Sequence, residues 1–417
     1  MYLIRELREK KEFEDFCNIV VHAYPGFKIE TEEQRNKFVE YSMKLKEDNE
    51  NITTYGLFKD EILIGGMRFF NFYMKLLTQH IKVGGLGLVA VDFLHKKEKI
   101  AKAIVEGFIN EYKSKGVNMV ALYPFRPDFY KKMGFGFGAS MHQYKVKPSN
   151  LPKGPSKSNV FFIHEEEGDM VLECYNRAYN ETNGLMEKEL EDFTKLLKRP
   201  RTSIVAYKRN EMIDGYIIYE VKPHDENFLI SDIIVSHMIY HSQEALMELM
   251  TFLNSQSDQI RQIIFNLQDP NFRFILEDPT NGSNNVLVPV HHEGSVEGTG
   301  IMYRVVDIDG IFKDLANHNF NNVDCKIKLI IRDTLVASNN KSIVVEFIKG
   351  KAMLRNTGDY EVEVSMDIAN FSSLLTASVD FKSLYKYGRA TLTHKEYLNK
   401  VNEIFYFPDK PICLTMF

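Results

Sequence analysis

The stretch 128–138, DFYKKMGFGFG, decides how the rest of the chain is read. It predicts a short helix over RPDFYKKMG (126–134), closed by Gly134, because glycine supplies the left-handed conformation that stops a helix. Tyr130 then sits beside a glycine turn. Just before it, VNMVALYP (117–124) is short and apolar enough to be a buried strand. Further upstream, Ile100, Ala101, Ile104, Val105, Phe108 and Tyr112 form one helical stripe that stops at Lys115-Gly116.

Working back to the start, EFEDFCNIVVHAYPG (12–26) places Phe13, Phe16, Cys17 and Val20 on one helical face and halts at Pro25-Gly26. TEEQRNKFVEYSMKL (31–45) opens with Thr31 and Gln34 at capping-box spacing. TTYGLF (53–58), ILIGGMRFFNF (62–72) and HIKVGGLGLVAV (80–91) are β-rich, and HQYKVKP (142–148) reads as a last strand. The expected order is ααβββαβαβ.

That order recurs. FKDEILIGGMRFFNF (58–72) is echoed by YKRNEMIDGYIIYEV (207–221), LVAV (88–91) by IIV (233–235), and VNMVALYP by IRQIIFNL (260–267). A repeated order of elements points to a duplicated unit. Residues 277–300 are rich in Gly, Asn, Ser and Pro and read as a linker with a short strand at Val286–Val290. After them, strands such as VDCKIKLIIRD (323–333) and short helices such as HKEYLNKVNEIF (394–405) indicate an α+β domain. The expected domains are 1–150, 151–285 and 286–417, of α/β, α/β and α+β class.

A net charge of −5 argues against nucleic acid as a partner. The N-terminus is too charged for a secretory signal, and no apolar run is long enough to span a bilayer. Cys17, Cys174, Cys325 and Cys413 are scattered, as reduced core thiols in the cytoplasm would be. HEEEG (164–168) and the pair His291-His292 lack metal-ligand spacing, so no metal is expected.

The strand GLGLVAV (85–91) runs into a helix start carrying Lys96, Lys97, Lys99 and Lys102, which suits phosphate. Together with FYxxxGF and the element order, this resembles the GNAT N-acetyltransferase fold. The whole chain resembles the enhanced intracellular survival (Eis) family: a catalytic GNAT domain, a degenerate second one and a sterol-carrier-like C-terminal domain. The opening of the third domain (302–315, MYRVVDIDGIFKDL) and the terminal Phe417 carry that narrower resemblance.

The resemblance implies acetyl-CoA as cosubstrate. Val89, Ala90 and Val91 would pair with its pantetheine arm, and Lys97, Glu98, Lys99, Ile100, Ala101 and Lys102 would hold the pyrophosphate. Tyr130 would protonate the departing thiolate. The α-carboxylate of Phe417 would be the general base, buried by the apolar tail ICLTMF (412–417). The acceptor would be a small cationic amine, aminoglycoside-, polyamine- or lysine-like, and the protein a homo-oligomer, a hexamer in the family. One departure stands out: Lys99 occupies the family's usual glycine position. It motivates the alternative of a catalytically weakened acyl-CoA- or lipid-binding protein. The second copy has no basic turn (VSHMIYHSQEA, 235–245) and is expected to be structural.

Overall fold

The computed structural model describes residues 2–224, 227–355 and 358–417. The first part of the chain forms β1 (Tyr2–Glu6), α1 (Lys10–Ala23), α2 (Glu32–Asp48), β2 (Ile52–Lys59), β3 (Ile62–Leu76), β4 (Gln79–Val91), α3 (Ile100–Ser114), β5 (Met119–Leu122), α4 (Pro127–Lys132) and β6 (Gly136–Phe137). Next come β7 (Met141–Val146), β8 (Val160–Phe162), α5 (Gly168–Glu181), α6 (Leu190–Leu197), β9 (Thr202–Arg209), β10 (Met212–His224), β11 (Asn227–Tyr240), α7 (Gln243–Asn254), β12 (Ile260–Leu267) and β13 (Val296–Gly298). The last part gives β14 (Met302–Val305), α8 (Ile308–Asp314), β15 (Cys325–Arg332), β16 (Lys341–Ile348), β17 (Lys351–Arg355), β18 (Val362–Asp367), α9 (Ile368–Leu375), α10 (Phe381–Lys386), β19 (Ala390–Leu392) and α11 (Leu398–Phe405).

Two compact units result. One comprises Met1–Gly138, Ile301–Pro411 and Met416–Phe417; the other comprises Ala139–Gly300 and Ile412–Thr415. The first holds a sheet ordered β1-β2-β3-β4-β5-β14-β6 and another ordered β17-β16-β15-β18-β19. The second holds β13-β7-β12-β11-β10-β9-β8.

Two strands differ from expectation. HQYKVKP, read as closing the first copy, forms β7 and pairs with β12 of the second sheet, Val146 opposite Ile263. Its place in the first sheet is taken by β14, which lies between β5 and β6 with Met302 opposite Leu122. All four residues of β14 are buried, Arg304 included, so both faces of that strand must be covered. The strand expected at Val286–Val290 does not form; Pro289 lacks the N–H a ladder needs, and a single bridge joins Val286 to His292.

Local chemistry explains the helices that frame the first sheet. At α2, Thr31 accepts from the Gln34 N–H, while the Gln34 side chain takes the Glu30 and Thr31 N–H groups at 2.7 and 3.0 Å. α1 buries Phe13, Phe16, Cys17, Ile19 and Val20 against one face of the sheet. α3 buries Ile104, Val105, Phe108 and Tyr112 against the other, among Met67, Phe69 and Leu86. α9 is buried throughout, and Ser373 donates to the Phe137 carbonyl at 2.9 Å, joining it to β6.

Candidate active site

The site begins where β4 outruns its neighbour. β5 pairs with β4 only from Val83 to Leu86. Residues 87–91 continue beyond it while remaining paired to β3 on the other side. The β3–β4 register slips between Gly66 and Arg68, so Leu88 and Val89 bulge opposite Met67, with Leu88 at φ 46°. A bulge turns backbone groups out of the ladder. The expected pantetheine strand, Val89, Ala90 and Val91, lies here. Tyr24, just past the end of α1, donates its hydroxyl to the Val89 carbonyl at 2.7 Å and stacks on Phe27 at 5.4 Å.

β4 then passes through Asp92, whose carboxylate accepts from the Leu94 N–H at 2.7 Å, to the start of α3. Lys97 and Lys99 both hold left-handed backbone, φ 69° and 63°. Lys99 therefore adopts the conformation glycine favours, at a cost glycine would not bear. It is the N-cap of α3 and supplies no side-chain cap, so the first N–H groups, at Ile100, Ala101 and Lys102, meet no capping side chain. Lys96 lies over the Phe93 ring at 3.4 Å, Lys102 pairs with Glu106 at 3.4 Å, and Glu98 is held by Lys59 and His95. The hydrogen bond from His95 leads in keeping the Glu98 carboxyl below its ordinary pKa. Among the described residues Lys97 and Lys99 form no ion pair, which leaves both cations for an anion at this helix start.

Tyr130 is 2% exposed and ringed by Phe125, Phe129 and Phe135, all edge-on within 5.9 Å. Burial, reinforced by Tyr24, pushes its phenol well above the ordinary value of 10, so it remains a proton donor through neutral pH. Its helix is anchored from behind. Arg304 on β14, wholly buried, donates to the Met133 carbonyl at 2.6 Å and forks onto Asp333 at 2.9 and 2.7 Å. A Cβ on Gly134 would collide with that guanidinium, so Gly134 answers both a φ of 85° and a close approach.

Phe417 lies over β3 and β4. Its ring meets Phe70, Phe72 and Tyr123 at 5.5, 5.0 and 5.3 Å. A Cβ on Gly87 would stand 2.9 Å from the Phe417 carboxyl carbon, and one on Gly85 would stand 3.0 Å from its ring. The glycines of GGLGL thus clear a place for this residue two positions before Val89. Tyr24 and Arg304 were not singled out from sequence; GGLGL read only as a bulged strand, and the spacing of 85 and 87 on one strand face was the available signal for the space they clear.

The Acetyltransferase (GNAT) domain family matches residues 4–138, a second Acetyltransferase (GNAT) domain family matches 184–305, and the Sterol carrier protein domain family matches 313–414. Among solved structures, the chain is similar to a GCN5-related N-acetyltransferase from Anabaena variabilis (TM-score 0.82, 16% identity, all of both chains covered). It is similar to a probable N-acyltransferase from Enterococcus faecalis (TM-score 0.79, 17% identity, all of both chains). Eis1 from Mycobacterium abscessus shares the fold too (TM-score 0.75, 16% identity, all of both chains). No curated protein matches.

Proposed function

We propose that this chain, an acetyltransferase with two tandem GNAT domains followed by a sterol carrier protein domain, transfers the acetyl group of acetyl-CoA to a small amine. The supporting observation is the run of β4 past β5 into an uncapped helix start flanked by Lys97 and Lys99. In this reading residues 89–91 hold the pantetheine arm and residues 97–102 the pyrophosphate.

The acceptor amine must be neutral to attack the thioester carbon. The Phe417 carboxylate takes up its proton, a weak base compensated by position. A backbone N–H of the bulged strand steadies the oxyanion. As the C–S bond breaks, Tyr130 gives its proton to the sulfur; a phenol is a weaker acid than a thiol and is fully protonated when needed. The resemblance extends the proposal to a cytoplasmic homo-hexamer, and sedimentation of the purified protein checks the assembly.

The test is release of free CoA from acetyl-CoA with a panel of amines. Turnover with at least one amine is expected. No release with any of them, while acetyl-CoA still raises Tm, would leave a cofactor-binding protein without transferase activity. Adding residues after Phe417 displaces the carboxylate and should lower kcat at unchanged acetyl-CoA affinity.

A further inference from the structure

The face of β3 that carries Phe70 and Phe72 also carries Arg68. Gly66, two residues earlier, faces Phe16 of α1, which fixes the side. Arg68 lies directly across from Gly87, the glycine beneath the Phe417 carboxyl carbon. Opposed residues of an antiparallel pair share a face at about 5 Å, so the Arg68 side chain leaves the sheet on the face over which the Phe417 carboxyl carbon lies, and its guanidinium reaches α2.

Its guanidinium is held by α2 through one neutral hydroxyl and two ring faces. Nη2 donates to Ser42 Oγ at 2.9 Å. The guanidinium lies 5.7 Å from the Phe38 ring and 5.6 Å from the Tyr41 ring. Nε is shielded from solvent and makes no hydrogen bond among the described residues. Among the described residues no carboxylate pairs with it, whereas Arg304 has Asp333 as its counter-ion. Burial pushes the Arg68 pKa below the ordinary value of 12.5, with Tyr41 acting the other way. An arginine that only tied α2 to the sheet would gain nothing from being a partly buried cation, since one hydroxyl and two ring faces do not offset desolvation of a full charge.

We propose that Arg68 is an anion subsite of the acceptor pocket, and that the acceptor is an amine that also bears a carboxylate, as a free α-amino acid does. The inference rests on the transferase reading of the same site. A planar guanidinium matches a carboxylate by two parallel hydrogen bonds. Ser42 occupies part of the fork and fixes its plane. The Phe417 carboxylate answers the ammonium of the same molecule, so the two groups form a dipole complementary to a zwitterion. A polyamine or aminoglycoside instead brings positive charge against Arg68. The chemistry balances as before: the C–N bond forms, the C–S bond breaks, the amine proton passes to Phe417 and the thiolate receives that of Tyr130.

The experiment compares CoA release by the full chain with free amino acids, the matching amino-acid amides, a polyamine and an aminoglycoside. Wild type is expected to favour the free acids over their amides by tenfold or more in kcat/KM. Arg68→Gln should raise KM for the acids tenfold while leaving KM for the amides unchanged, and Arg68→Lys should restore part of the preference. Equal rates with acids and amides in wild type, a preference for the polycations, or an equal loss on both in Arg68→Gln would overturn the subsite and leave the transferase reading standing. The wild-type comparison needs no variant to fold. Turnover of no amine at all, with acetyl-CoA still raising Tm, overturns both readings together.

Discussion

The two copies of the α/β unit differ at one corner, where a strand hands over to a helix. At α7, Ser242 holds extended backbone, accepts the Ala245 N–H at 3.2 Å and donates to Asp214 at 2.5 Å. Glu244 follows in the first turn. The Ser242 side chain takes one of the first free N–H groups, and Glu244 sets a negative charge where an anion would sit. At α3 the same corner has a left-handed Lys99, no side-chain cap and four lysines within seven residues. The strands differ in step. β4 carries Gly84, Gly85 and Gly87, while residues 227–240 of β11 include no glycine and hold the half-buried His237, which hydrogen-bonds the Leu414 backbone. The contrast teaches that a shared fold supplies the scaffold, and that the proposed site rests on an open helix start plus vacant side-chain space.

The sharpest test of that contrast is Tyr130→Phe. Losing a positioned acid should lower kcat about 10²- to 10⁴-fold with little change in acetyl-CoA affinity. Stopped-time CoA release and a thermal-shift titration check the two halves. Tyr179 of α5, a buried tyrosine in the other copy, changed to Phe should leave kcat alone.

Next in size is Gly87→Ala, which makes β4 resemble β11. The added Cβ meets the Phe417 carboxyl carbon at 2.9 Å, closer than carbon atoms pack. Displacing a reacting group by about 1 Å can cost 10²-fold. We expect that loss in kcat with Tm within a few degrees of wild type. Unchanged turnover would mean the carboxylate takes no part in the reaction.

The second copy has its own signature, in stability. Burial, with Lys188 adding repulsion, pushes the His237 pKa down from 6.5 to about 3. Between those values the unfolded chain binds a proton that the folded chain does not, so stability rises with pH across that window and is lost on acidification below about 6.5. At pH 5 the loss approaches about 2 kcal/mol. His237→Gln should flatten the urea midpoint between pH 7 and 5 relative to wild type; parallel slopes would refute the assignment.

What the sequence disclosed follows the reach of each interaction. The α2 capping box, the α3 stripe and the Tyr130–Gly134 turn are set by residues within a few positions, and all formed where read. The exchange of β7 and β14 between sheets was not legible, because alternation shows which face a strand buries and not which strand it joins. Tyr24 and Val89 are 65 residues apart, and Arg304 reaches Met133 across 171. Such contacts depend on the completed fold. The terminal Phe417 stood out by composition, yet the space for it at Gly85 and Gly87 showed only in three dimensions.

The smallest effect separates strain from charge at the α3 corner. A non-glycine residue at φ 63° carries roughly 1 kcal/mol or more of backbone strain. Lys99→Gly removes it, and glycine is also the better N-cap. Stability without cofactor should therefore rise by about 1 kcal/mol, read as a higher urea midpoint. The same change deletes a lysine that, among the described residues, forms no ion pair at the helix start. If Lys99 serves the pyrophosphate, the acetyl-CoA Kd should rise several-fold at low salt, and the gap should close as salt screens the charge. A tighter Kd at every salt concentration would mean the lysine only obstructs the approach of the phosphate, and that α3 binds through its backbone N–H groups alone. Either outcome decides whether the difference from α7 lies in the open helix start or in the lysines around it.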